Sequence, residues 1–146
     1  MEKIITEQTG NETVIPNIVN HIVDYLSEYS ILLISGDLGA GKTTLTQQLF
    51  KTLGVTDQVT SPTFNLVNVY RNKQGEESYH FDLYRIKHPA ELSDIGFEDY
   101  LDSGKICVIE WPEIMESNFD YPHLKLEIEH DSLGRKYSLK SITNGD

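Results

Sequence analysis

The chain has 146 residues, 38% of them hydrophobic and 24% charged, which excludes a disordered segment and suits one globular domain spanning 1–146. Twelve Lys plus Arg against 23 Asp plus Glu leave a net charge of −11 with scattered cations, excluding a stand-alone nucleic-acid binder built on a basic stripe. The one cysteine, Cys107, excludes an intramolecular disulfide and a Cys-based zinc cluster, and its place inside the apolar run ICVI points to a buried thiol.

The opening residues MEKIITEQTG lack the basic, apolar and small-residue regions of a signal peptide. No apolar stretch approaches membrane-span length, so the expected setting is the cytoplasm. Lys3 to Thr6 can form a short strand. In GNETVIPNIVNHIVDYLSEYS, the residues Ile15, Ile18, Val19, Ile22, Val23 and Leu26 recur at helical spacing and share one face. Thr13 is the expected N-cap of this helix, with Pro16 in the first turn, where a missing N–H is tolerated.

ILLIS, from Ile31, is short and continuously apolar, as expected for a strand buried on both faces of a parallel sheet. A helix from about Lys42 to Leu53 follows, with Gly54 as its stop. FNLVNVYR and ESYHFDLYRI alternate apolar and polar residues around the turn NKQG and read as an antiparallel hairpin. PAELSDIGFEDYLDSG should hold one short helix ending near Gly104. KICVIE reads as a second buried strand ending in Glu110, and HLKLEIEHDSLGRKYSLKSI as a terminal hairpin. The expected fold is α/β: a P-loop NTPase-like domain with a mostly parallel central sheet, helices on its faces and antiparallel hairpins.

The chemistry starts at Gly36-x-x-x-x-Gly41-Lys42-Thr43, which fits the Walker A pattern between a strand and a helix. Gly36, Gly39 and Gly41 let the backbone curl close to a ligand. The backbone N–H groups of the loop, Gly36, Asp37, Leu38, Gly39, Ala40 and Gly41 running into Lys42, Thr43 and Thr44, can then face phosphate oxygens. The N-terminus of the following helix adds positive potential. Lys42 can reach the outer phosphates and the Thr43 hydroxyl can ligate Mg²⁺. The guanine-reading pattern N-K-x-D is missing; Asn72-Lys73-Gln74-Gly75 is the nearest approach and lacks the acid, which favours ATP.

Such a site also needs a carboxylate at the C-terminal end of a neighbouring strand. Glu110, ending ICVIE, and Asp82, in YHFDLYR, are the candidates. Each could instead be a solvated surface charge. His80 and Asp82 share one strand face, and Tyr79, Phe81 and Leu83 the other. If both acids reach the site, one could hold Mg²⁺ and the other orient the attacking water.

GDLGAGKTT, SPTF at Ser61 to Phe64, HFDLYR at His80 to Arg85, DIGFEDYL at Asp94 to Leu101 and IEWPE at Ile109 to Glu113 occur together in order. In this the chain resembles the TsaE (YjeE) family from about Thr13 to Glu113, with a looser match at Arg135. The resemblance implies a small Mg²⁺-dependent ATPase required for threonylcarbamoylation of adenosine 37 in tRNAs reading ANN codons. Its implied partners are TsaD, the transferase subunit, and TsaB, and they rather than this acidic chain would hold the tRNA. No membrane association is implied.

Carried over by position, the resemblance makes Lys42 the phosphate ligand, Thr43 and Glu110 the metal ligands, and Asp82 a catalytic or water-positioning acid. SPTF becomes a switch segment with Thr63 sensing γ-phosphate or metal; a plain turn fixed by Pro62 is the alternative. Trp111 lies close to the nucleotide or is a core anchor, and Arg135 is an adenine-side arginine or a surface one. Arg85 is either an arginine finger in cis or the partner of a nearby acid. Two other classes of function remain open. One is a small-molecule P-loop kinase, disfavoured because there is no arginine-rich lid segment; the other is a docking module gated by nucleotide with little hydrolysis.

Overall fold

A computed structural model describes residues 1–36, 41–59 and 66–143. The expectations for Asp37, Leu38, Gly39, Ala40 and the SPTF segment with Thr63 lie outside the described residues. Seven strands form one sheet: β1 (Glu2–Gly10), β2 (Ile31–Gly36), β3 (Val67–Arg71), β4 (Glu77–Asp82), β5 (Ile106–Glu110), β6 (His123–Asp131) and β7 (Gly134–Ile142). Their order is β1-β7-β6-β2-β5-β4-β3. β6, β2, β5 and β4 run parallel and make the centre, while β7, β1 and β3 add antiparallel flanks.

The apolar run of β2 explains its central position. Ile31, Leu32, Leu33 and Ile34 are all buried, because α-helices cover both faces of the strand. Leu32 and Ile34 face α1 (Ile15–Tyr25) and α2 (Lys42–Thr52), in a core shared with Ile18, Leu45, Leu49, Phe50 and Val108. Ile31 and Leu33 face the other way, toward Phe81, Cys107 and Ile109 under α3 (Ala90–Asp94), α4 (Phe97–Asp102) and α5 (Glu113–Glu116). Cys107 is buried, and loss of hydration pushes its thiol up to about 12, so it is structural, as its apolar setting suggested.

Three local expectations are corrected. The first strand is longer than Lys3 to Thr6, because β7 pairs with it from Glu2 to Gly10. Thr13 is not the N-cap: Asn11 accepts from the Thr13 N–H and opens a 3-10 turn, Glu12–Val14, that feeds α1. The single helix expected before Gly104 is two, α3 and α4, because Gly96 sits between them at φ 71, in the left-handed region that breaks a helix. Among the described residues α5 was not expected; four residues are too few to show a period.

Gly134, opening β7, has φ 123, and a Cβ there would lie 2.5 Å from the Gly10 carbonyl oxygen. That backbone cannot yield, because β1 is paired to β7 at that point. Gly75, in the β3–β4 turn, has φ 80 and open space around it. Gly75→Ala should therefore cost about 1 kcal/mol from backbone strain alone, and Gly134→Ala roughly 3 kcal/mol, measured by urea unfolding. Equal losses would contradict the collision at Gly10.

Candidate active site

Parallel strands place their C-terminal ends along one edge of the sheet, and ligands of open α/β folds gather there. β2 ends at Gly36, β5 at Glu110 and β4 at Asp82, and the register sets Ile34 beside Glu110 and Glu110 beside Asp82. The edge is locked by two backbone bonds, Leu83 N–H to the Glu110 carbonyl at 3.0 Å and Trp111 N–H to the Ile34 carbonyl at 3.3 Å.

α2 begins at this edge. Gly41 precedes it at φ 91, a conformation open to glycine without penalty, and its carbonyl accepts the first helical bond from Leu45. Lys42 is buried to 7% exposure. Its ammonium donates to the Gly36 carbonyl and lies 3.6 Å from the centre of the Trp111 ring. Thr43 and Thr44 are exposed on the first turn. Arg135, at the start of β7, is drawn to the same place: a Cβ on Gly41 would stand 3.3 Å from its guanidinium. The structure thus sets Arg135 beside the glycine loop rather than on a remote surface.

Trp111 has φ 57, the one left-handed non-glycine among the described residues. Such a conformation costs on the order of 1–3 kcal/mol and persists where neighbours enforce it. Here the enforcement comes from its backbone bond to β2, the Lys42 ammonium on its face and the Tyr84 ring 4.8 Å away. The turn brings the indole back over the phosphate-loop lysine. Tyr84 belongs to the HFDLYR block but has no role of its own in the sequence pattern.

The two acids differ. Glu110 is 2% exposed, so the surface-charge alternative for it is wrong. Its Oε2 lies 2.5 Å from Nε2 of His80, which is fully buried beside Phe50 and Tyr70. Asp82 is half-buried, and its Oδ1 accepts from the Tyr84 N–H at 3.0 Å. Burial raises the Asp82 carboxyl above its ordinary range. The Tyr84 bond opposes that rise, the Glu110 charge adds to it, and His80 and Lys42 lower it. Lys42, Asp82 and Glu110 therefore share one field at one sheet edge. Arg85 follows on an exposed turn.

The donor set fits magnesium, a hard cation that takes oxygen ligands and is usually held by one or two carboxylates with the rest of its shell from phosphates and water. Two carboxylates at paired strand ends and an exposed hydroxyl at Thr43 supply that chemistry. Clusters of three or more His, Cys, Asp or Glu able to hold a metal are absent among the described residues.

A lysine opening a helix and turned back to the carbonyl that ends the preceding strand puts this chain in the class of P-loop nucleotide-binding proteins. Comparison with known proteins gives the family. The family model for threonylcarbamoyl adenosine biosynthesis protein TsaE matches residues 9–137, and the chain belongs to that family. It is 40% identical over 114 residues to the tRNA threonylcarbamoyladenosine biosynthesis protein TsaE of Haemophilus influenzae, covering 78% of this chain and 72% of that protein. It is 33% identical over 119 residues to the protein of that name from Bacillus subtilis, covering 75% and 73%. The fold is similar to the crystal structure of Bacillus subtilis YdiB, with a TM-score of 0.67 at 24% identity over 99% of this chain and 89% of that one. Membership gives the chain a role in threonylcarbamoyladenosine modification of tRNA and implies nucleotide binding.

The raised Asp82 carboxyl has a consequence for stability. Its folded value lies above the unfolded one, so folding disfavours the charged form, and the penalty grows as pH rises through that interval. Asp82→Asn, which keeps the acceptor for Tyr84, should raise Tm at pH 7 in the presence of EDTA. The gain should shrink below the unfolded aspartate range, about pH 3.9. A lower Tm for the variant at pH 7 would contradict this.

Proposed function

We propose that the chain is the Mg²⁺-dependent ATPase of the machinery that threonylcarbamoylates adenosine 37 in tRNAs reading ANN codons, working with TsaD and TsaB. The observation that carries this reading is the buried Lys42, held at the Gly36 carbonyl beside Glu110 and Asp82 at the ends of parallel strands. Family membership supports the tRNA-modification role, and the net charge of −11 supports leaving the RNA to other subunits.

In this reading the loop from Gly36 to Thr44 wraps the phosphates, and Lys42 exchanges the Gly36 carbonyl for phosphate oxygens. Trp111 and Arg135 flank the nucleotide, and Thr63 senses it. Thr43 and Glu110 would hold Mg²⁺, with Asp82 in the second carboxylate position. The metal, when bound, neutralises charge developing on the outer phosphate oxygens. Asp82, whose raised carboxyl accepts protons more readily than an exposed aspartate, orients the attacking water and takes up its proton. The fixed positions of Lys42, Glu110 and Asp82 make the catalysis one of placement and electrostatics.

The test is ATP turnover by the purified chain, alone and with TsaD and TsaB, for wild type, Lys42→Ala and Glu110→Ala. Low basal turnover, stimulation by the partners and near-complete loss in both variants are expected. Undiminished turnover in Lys42→Ala would overturn the site assignment. Absence of stimulation in a correctly assembled complex would favour a nucleotide-gated docking module instead.

A further inference from the structure

His80 has no role in the reading above, yet it is fully buried, and its ring lies against Phe50 at 5.5 Å and Tyr70 at 6.0 Å between centroids. Its two nitrogens have different neighbours. Nε2 is 2.5 Å from Glu110 Oε2, and Nδ1 is 3.4 Å from the Tyr70 hydroxyl. Behind Tyr70, the Asn68 side-chain amide donates to the same hydroxyl at 3.3 Å. We infer that Asn68, Tyr70 and His80 form a hydrogen-bonded relay across β3, β4 and β5 that positions the Glu110 carboxylate for Mg²⁺.

The carboxylate decides the direction of the bond at Nε2. Nε2 must donate, because an ionised carboxylate offers only acceptors. The Tyr70 hydroxyl lies at Nδ1, the ring's other nitrogen, and its oxygen accepts from the Asn68 amide. One Glu110 oxygen is thereby taken by His80, and in this reading the other serves the metal at the edge that Glu110 shares with Asp82. A carboxylate buried to this degree without such a partner would be costly. Outer-shell partners that fix a ligand's orientation typically account for about 10–100-fold in metal affinity. Tertiary contact holds the relay in place: Asn68 pairs with His80 across β3 and β4, and β4 sits in register on β5.

This inference rests on the reading of Glu110 as a metal ligand. Its test is the Mg²⁺ dependence of binding of a non-hydrolysable ATP analogue, followed by calorimetry on the full chain, with thermal melts to establish folding. His80→Phe fills the ring's space and removes the donor. It should raise the Mg²⁺ concentration needed for half-maximal tightening about 10–100-fold, leaving metal-free affinity unchanged. His80→Gln, which can still donate, should recover most of the loss, and Tyr70→Phe should shift the dependence in the same direction by less. A folded His80→Phe with wild-type Mg²⁺ dependence, or with equal losses in the presence and absence of metal, would overturn the relay. Should His80→Phe fail to fold, wild-type behaviour of Tyr70→Phe would do so. Glu110→Gln in parallel separates the two ideas: if its Mg²⁺ dependence is also unchanged, the metal assignment itself fails.

Discussion

The site is organised around a carboxylate almost wholly buried at the end of a central strand. Glu110 is 2% exposed at the end of a strand whose other residues are apolar, and the low-dielectric surroundings make its orientation expensive to change. The remaining features of the edge are arranged around that fact. His80 comes from β4 to meet it, Asp82 lies beside it in register, and Lys42 arrives from α2 over the same face of the sheet. Trp111, the next residue, turns into a left-handed conformation and closes over the lysine.

Topology makes this convergence possible. With β2 and β5 adjacent and parallel, the loop that starts at Gly36 and the acid that ends β5 emerge side by side. β7 then returns antiparallel along β6, which carries Arg135 to the same edge and against Gly41. Helices on both faces bury the central strands, so Lys42, Asp82 and Glu110 sit at the ends of packed elements.

Much of this was readable from pattern. A continuous apolar run such as ILLIS or ICVI announces a strand covered on both faces, and the period of Ile15, Ile18, Val19 and Ile22 announces the helix that covers it. The Walker A spacing singled out Gly36, Gly41, Lys42 and Thr43, the acid ending the second run singled out Glu110, and the structure brings Gly36, Lys42 and Glu110 to one edge. What escaped depended on three-dimensional register. The bond between His80 and Glu110 joins residues thirty positions apart, and it exists only because β4 pairs with β5. The Tyr84 contact with Trp111 and the approach of Arg135 to Gly41 are likewise products of tertiary placement. Local errors had local causes: Asn11 replaced Thr13 as the cap through a 3-10 turn, and the left-handed Gly96 cut one helix into two.

The central claim is that Lys42 and Glu110 meet the same bound nucleotide and its metal. A crystal structure of the chain with Mg²⁺ and a non-hydrolysable ATP analogue tests this most directly. The account predicts that the Lys42 ammonium leaves the Gly36 carbonyl for the terminal phosphate, with Mg²⁺ on the Thr43 hydroxyl and facing Glu110. A nucleotide bound away from Lys42, or a metal remote from Glu110, would contradict it.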